Sequence, residues 1–267
     1  MNADRLKRII SYSREYRKDI AADVKKFCAY AGIDSESEVL NFKQIVRDIF
    51  FRRGYFWFDM PFEDDEIGGI CYKDDGLGYV VMNTSLPEVN YTFALAHETY
   101  HVLFQESQYI STADLAADSY FEHEDEYAAN LFASMLLMPE NSFIRMYSKY
   151  IQEDNNLTTA IIKLMAYYKV PYMAVLIRCL ELDLCDKSDI SPEVITLSQL
   201  RVREIMEDLW LDVAILDASA KDDCRRIERI LNEHGQEGVR EGYITESILK
   251  KALANVQTLS KRIKEGV

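Results

Sequence analysis

Residues 93–101 read Phe93-Ala94-Leu95-Ala96-His97-Glu98-Thr99-Tyr100-His101, an apolar lead-in that runs into the pattern HExxH. The spacing of apolar residues after Pro87 predicts a helix over about 88–104. With 3.6 residues per turn, His97 and His101 project from one face one turn apart, so two imidazole nitrogens can reach a single metal ion. Glu98 lies roughly 100° round the helix. From there it can reach a water held at the metal without ligating the metal, which is the placement of a general base. Two histidines at i and i+4 with a glutamate between them point to zinc.

A third ligand belongs on another helix. Downstream, Glu122-His123-Glu124-Asp125-Glu126-Tyr127-Ala128-Ala129-Asn130-Leu131-Phe132-Ala133 offers candidates. Glu126, Ala129, Asn130 and Ala133 share one helical face, and the small residues beside Glu126 let that helix approach the histidines closely enough for direct ligation. Asn130, one turn beyond Glu126, is placed to support a ligand histidine through its second ring nitrogen. Glu122 shares the same face, whereas His123, Glu124 and Asp125 read as solvated charged surface.

Outward from this centre, the chain divides by hydrophobic period. Leu6, Ile9, Ile10, Tyr16, Ile20, Val24 and Phe27 predict a helix from residue 3 to about 31, ended at Gly32. Ser35 and Glu38 form a capping-box pattern for a second helix running to Gly54. The period then shifts: Tyr55–Phe58, Ile67–Tyr72 and Gly78–Asn83 read as short strands of a small antiparallel sheet, the last two joined by a turn at Asp74-Asp75-Gly76. Helices follow at about 122–137, 142–152, 157–168 and 172–184. The polar stretch 185–192 marks a boundary between a first unit, 1–185, and a helical C-terminal extension, 186–267. Three helices are expected in the extension, the last with Ile248, Ala252, Val256, Leu259 and Ile263 along one stripe. The fold class is α+β, mainly helical.

Composition excludes several functions. The formal charge is −14, so a direct nucleic-acid partner would meet strong repulsion. Residues 186–267 hold 13 basic and 16 acidic side chains, net −3, which leaves −11 for residues 1–185. No run of about eighteen apolar residues and no signal-peptide core are present, and the chain reads as cytoplasmic with no membrane partner. Five cysteines without a CxxC pair argue against a disulfide framework or a thiolate zinc site. Gly76-x-Gly78 lacks the third glycine of a dinucleotide site, and neither a Walker loop nor GxSxG occurs. Residues 163–182, with Val170-Pro171 between two helical stretches, have a helix-turn-helix outline, which the acidity of the chain assigns to a structural hairpin.

His97-Glu98-Thr99-Tyr100-His101, followed by Glu126-x-x-Ala129-Asn130-x-Phe132-Ala133 and Leu136-Leu137-Met138-Pro139, resembles the ImmA/IrrE metallopeptidase family. The strand ending in Val81-Met82-Asn83 and the run Tyr91–Ala96 are similar to it as well, and the likeness covers about residues 40–184. It implies a zincin-like domain with zinc held by His97, His101 and Glu126, and with Glu98 as catalytic acid/base. It also implies an endopeptidase whose substrate is a helix-turn-helix repressor, cleaved to switch on genes of a mobile element, phage or stress response. An acidic catalytic region suits such a basic substrate. Many members have Gly where this chain has Tyr100, which implies a narrower cleft. The alternative is a non-hydrolytic regulatory binding module, akin to a toxin–antitoxin partner, with a structural zinc; Glu98 separates the two, since a purely structural site has no use for a base. Oligomeric state is not legible from the sequence.

Overall fold

The computed structural model describes residues 3–65, 67–74, 77–105, 109–114, 124–185 and 192–265. The first helix, α1 (Ala3–Ala31), buries Leu6, Ile10, Ile20, Val24 and Phe27 at helical spacing, and Gly32 (φ 70°) supplies the left-handed residue that ends it. The second, α2 (Phe42–Arg52), starts later than expected because the capping box at Ser35 and Glu38 does not form. Asp34 instead accepts from the Glu36 backbone N–H (3.2 Å) and the Ser37 hydroxyl (2.7 Å), which folds the segment into a turn. Glu38 is taken by distant partners, the hydroxyls of Ser142 (2.5 Å) and Tyr167 (2.9 Å).

Four strands form one sheet, β1 (Tyr55–Met60), β2 (Ile67–Asp74), β3 (Leu77–Asn83) and β4 (Tyr109–Asp114), in the order β1-β3-β2-β4. The expected antiparallel sheet is thus a mixed one. β2 pairs antiparallel with β3 (Cys71↔Val80) and with β4 (Tyr72↔Ile110), but β1 pairs parallel with β3 (Trp57↔Val80). The link between β1 and β2 explains this. It is held away from a tight turn by Asn83, whose Oδ1 accepts from Phe62 N (3.1 Å) and whose Nδ2 donates to the carbonyls of Asp64 (2.9 Å) and Ile67 (2.8 Å). β3 therefore returns between β1 and β2 and runs the same way as β1. Asp75 and Gly76 of the expected turn lie outside the described residues.

From β3 the chain enters α3 (Glu88–Phe104), buried from Val89 to Val102 on nearly every side, as expected of a helix apolar all round. Against it packs α4 (Glu124–Leu137), backed by α1, and α5 (Glu140–Asp154), α6 (Leu157–Tyr168) and α7 (Tyr172–Glu181) follow. The axes of α6 and α7 turn by 109°. Eight of the ten residues of α7, Tyr172 to Glu181, are buried, so this helix has no free face for a DNA groove and the helix-turn-helix outline serves the core.

The expected boundary falls on residues 186–191, outside the described set. Beyond it come α8 (Pro192–Ile195), α9 (Gln199–Asp208), a 3-10 turn (Val213–Leu216), α10 (Cys224–Arg240) and α11 (Glu246–Glu265). Val202, Met206 and Ile215 enter the same buried cluster as α3 and α6, and Pro87 bridges to Ala218. The expected stripe on α11 is rotated: Ile248 and Leu259 are exposed, whereas Leu249 and Ser260 are buried. Gly235 causes the shift. Its missing Cβ would lie 2.2 Å from Leu249 Cδ1, so Leu249 occupies the space left on α10 and turns α11 with it. Among the described residues no single helix is long and apolar enough to cross a membrane. All five cysteines are free thiols.

Candidate metal centre

HExxH sits in the last half of α3, and the helix delivers both imidazoles to one point. The Nε2 atoms of His97 and His101 are 3.0 Å apart, with ring centroids 4.7 Å apart and edge to face. Glu126, in the first turns of α4, closes the set from the facing helix, with Oε2 3.1 Å from His97 Nε2 and Oε1 3.6 Å from His101 Nε2. Ala129 and Ala133 on the same face of α4 are fully buried, and their small side chains are what allow the two helices this approach. His97, His101 and Glu126 are 3%, 1% and 9% exposed, and their ligand atoms all lie within 4.8 Å of one another. Glu122 and His123 are outside the described residues.

The other nitrogen of each imidazole is also committed. Nδ1 of His97 is 3.1 Å from Asn130 Oδ1, and Nδ1 of His101 is 2.8 Å from Gln105 Oε1. With the amide oxygens facing them, both Nδ1 atoms donate, which leaves the Nε2 lone pairs directed at the shared point. Asn130 was expected here. Gln105 was missed, although its signal was available: it stands four residues after His101, one turn further along the same helical face.

The electrostatics ask for a cation. Burial works against a charged His97, but the hydrogen bond and charge of Glu126, the charge of Glu98 and the Asn130 contact outweigh it and hold this imidazole above its ordinary value. Burial and the neighbouring His97 push His101 down to about 3. One imidazole is thus a neutral donor atom at any physiological pH, and the two carboxylates draw positive charge to the point where the Nε2 atoms meet. Two neutral-capable imidazoles and a carboxylate, fixed from behind by amides, fit a divalent metal.

Glu98 is completely buried next to His97 on α3. Strand β2 crosses directly over it at Gly69. A Cβ there would stand 3.0 Å from Met82 Sδ, 3.3 Å from the Val81 carbonyl and 3.4 Å from Glu98 Cγ, so the absence of a side chain lets the sheet close on the glutamate. The Gly68-Gly69 doublet inside a strand was the sequence signal for this approach.

The tyrosines near the motif have separate roles. Tyr91 donates its hydroxyl to Asp59 Oδ1 at 2.6 Å, and burial with that carboxylate holds its pKa far above the ordinary phenol range. Tyr127 stacks on Tyr12, with centroids 5.4 Å apart. Tyr100 packs between Phe104 and Phe132 and touches the edge of His101. The bulk introduced at Tyr100 is therefore absorbed by an aromatic cluster between α3 and α4.

The model of the family Peptidase_M78, the IrrE N-terminal-like domain, matches residues 52–180. No curated protein matches the chain. The matched segment runs from the end of α2 through the sheet, α3 and α4 almost to the end of α7, and so contains every group at the metal centre. Residues 52–180 are thus similar to the IrrE N-terminal-like domain of the peptidase family, and the histidine and glutamate cluster lies within the matched segment.

Proposed function

We propose that the protein is a zinc-dependent endopeptidase that cleaves a helix-turn-helix transcriptional repressor in the cytoplasm. The observation that carries the reading is the convergence of His97 Nε2, His101 Nε2 and a Glu126 carboxylate oxygen beside the buried Glu98, inside a metallopeptidase domain. His97, His101 and Glu126 would hold the zinc. Bound there, the ion would supply Lewis acidity to a peptide carbonyl and would make a nearby water easier to deprotonate. Glu98 takes the proton of the attacking water at its carboxylate and passes it to the leaving amine. Burial of Glu98 beneath β2 shields that carboxylate from bulk water. Asn130 and Gln105 hold the two imidazoles in the tautomer and orientation that ligation needs.

The repressor as substrate is supported by the family likeness and by the charge of −11 over residues 1–185, which favours encounter with a basic DNA-binding domain. Residues 186–267, which bring no further ligand set among the described residues, serve in this reading as the extension that recognises a partner or restrains the site.

The test is co-expression of the protein, as wild type and as Glu98→Gln, with the product of any repressor gene that neighbours its own. Cleavage by wild type alone, with zinc retained in both, is the expected result. Derepression by wild type and Glu98→Gln alike, with the repressor intact, overturns the peptidase reading in favour of a zinc-bearing binding module.

A further inference from the structure

Residues 178–185 read Arg178-Cys179-Leu180-Glu181-Leu182-Asp183-Leu184-Cys185 and hold two of the five cysteines. α7 ends inside this stretch, and the way it ends decides where the second cysteine goes. The Leu184 N–H donates to the Cys179 carbonyl at 2.9 Å and the Asp183 N–H to the Leu180 carbonyl at 3.3 Å, with Asp183 in the left-handed region (φ 52°). These are the paired bonds of a Schellman turn, which satisfies the last carbonyls of a helix and reverses the chain. Aspartate is among the few side chains that adopt this conformation at small cost. Cys185, the residue after the turn, is thereby carried back to the turn of helix that the chain has just left.

The two free thiols meet there. Cys179 is fully buried, Cys185 is half-buried, and the Cys179 thiol donates a hydrogen bond to the Cys185 sulfur. That bond, together with burial, holds the Cys179 thiol well above its ordinary value, so it keeps its proton and remains the donor. Cys185 packs besides on the cluster of Leu6, Ile10 and Leu180, which fixes it against α7 from the side of α1. The backbone between the two is gripped from outside, since the Tyr147 hydroxyl donates to the Leu184 carbonyl at 2.9 Å and Arg14 pairs with Asp183 at 2.8 Å. The remaining cysteines, Cys28, Cys71 and Cys224, stand on α1, β2 and α10. One sulfur open to solvent, with a second held against it that still carries a proton, is the arrangement of an attacking and a resolving thiol.

We propose that Cys179 and Cys185 are a reversible thiol–disulfide pair, oxidised by a hydroperoxide that reaches Cys185 from solvent. The Cys185 sulfur attacks the terminal peroxide oxygen, the O–O bond breaks, and the Cys185 proton leaves with the alkoxide as an alcohol, which makes Cys185 a sulfenic acid. The Cys179 sulfur then attacks the Cys185 sulfur and displaces hydroxide, which takes the Cys179 proton and departs as water. Two thiols are oxidised to one disulfide, and the hydroperoxide is reduced to an alcohol and water. The new bond staples the last turn of α7 to the segment that leads on to α8. In that turn Glu181 accepts from Arg178 at 3.1 Å and from Ser134 of α4 at 3.3 Å, so the stapled end is tied to the helix that carries Glu126. The inference does not depend on peptide hydrolysis, and its test does not use it.

The full-length protein is reduced with dithiothreitol, freed of it, exposed to a small excess of tert-butyl hydroperoxide, alkylated with N-ethylmaleimide in denaturant and digested with trypsin. Cleavage after Arg178 and Lys187 puts both cysteines in one peptide, 179–187, so mass spectrometry reads the disulfide directly as a peptide two hydrogens lighter than the dithiol and free of maleimide. Wild type is expected to give this peptide, to fall from five alkylated thiols to three, and to recover all five after dithiothreitol. Cys185→Ser, its folding checked by circular dichroism, should keep Cys179 alkylated after the same exposure. Cys179→Ala should hold Cys185 as a sulfenic acid that dimedone traps. If Cys179→Ala, at a fully buried site, fails to fold, Cys185→Ser and the wild-type peptide decide alone. A wild-type peptide that keeps both maleimides, a sulfinic acid or a bond to another cysteine in place of the disulfide, or equal oxidation of Cys179 in Cys185→Ser would each overturn the inference.

Discussion

Replacing Asp59 tests how the segment after the 3-10 turn is fastened to the helix that carries the candidate metal ligands. Asp59, 2% exposed on β1, accepts at Oδ1 from the Trp57 indole (2.9 Å) and the Tyr91 hydroxyl (2.6 Å), and at Oδ2 from Lys221 (2.6 Å) and Arg47 (3.3 Å). Its backbone exchanges two further bonds with Asp223, N–H to Oδ2 at 3.0 Å and carbonyl to N–H at 2.7 Å. In Asp59→Ala, Trp57 and Tyr91, 7% and 6% exposed, keep buried donors with no acceptor, at about 1–3 kcal/mol each. Lys221 and Arg47, with side chains 46% and 48% exposed, turn to water and lose roughly 0–1 kcal/mol each. The expected destabilisation is about 2–8 kcal/mol, most of it from the two buried donors. Asp59→Asn keeps an oxygen for the two buried donors and sets an amide against two cations, at about 1–2 kcal/mol.

Urea unfolding followed by tryptophan emission measures this, because Trp57 is buried whereas Trp210 is 95% exposed and changes little. Burial opposes the Asp59 charge, but Lys221, Tyr91 and Trp57 outweigh it and hold the carboxyl below its ordinary range. A depressed folded pKa contributes stability that is full above the unfolded value of about 3.9 and is lost as pH falls through the folded value. The advantage of wild type over Asp59→Asn should therefore hold from pH 7 down to about pH 4 and shrink below it. An alanine variant no less stable than the asparagine variant would refute the argument, since the orphaned Trp57 and Tyr91 donors are what separates them.

Three further outcomes are expected. Glu126→Ala should lose bound zinc by metal analysis, while Glu98→Gln retains one zinc per chain and loses about 10²–10⁴-fold in peptide hydrolysis; a fully active Glu98→Gln would remove the general base. Gln105→Ala and Asn130→Ala should each weaken the metal about 10–100-fold in competition with a chromophoric chelator, without loss of secondary structure, and an unchanged affinity would make those amides bystanders. Cleavage of a basic repressor should slow between low and physiological ionic strength through its association step, while hydrolysis of a short neutral peptide stays constant; equal salt dependence would remove the steering argument.

The parts of this architecture that were legible in the sequence are those fixed by local period. α1, α3 and α6 lie where Leu6 to Phe27, Val89 to Val102 and Ala160 to Tyr168 put apolar residues at helical spacing. Of the clustered residues, His97 and His101 were legible for the same reason, one turn apart on one helix, whereas period alone left Glu122 and Glu126 on one face and the family resemblance singled out Glu126. What was not legible depends on contacts far apart in the chain. The parallel pairing of β1 with β3 rests on Asn83 gathering Phe62, Asp64 and Ile67, and the late start of α2 rests on Glu38 being drawn to Ser142 and Tyr167. The rotation of α11 rests on a notch at Gly235 in another helix. None of these alters a periodic pattern, so none leaves a mark in one.

The long-range contacts also account for how the centre is held. A catalytic site needs its groups held to within a fraction of an ångström by neighbours that are themselves fixed. α3 meets this by being buried almost throughout, so its rotation is set by the sheet on one side and α4 on the other. Tyr91 anchors its first turns to Asp59, Gly69 admits β2 onto Glu98, and the Tyr100–Phe104–Phe132 cluster locks its last turns to α4. Each contact restrains a different part of the helix. His97, Glu98 and His101 are thereby placed by contacts at the start, middle and end of one helix.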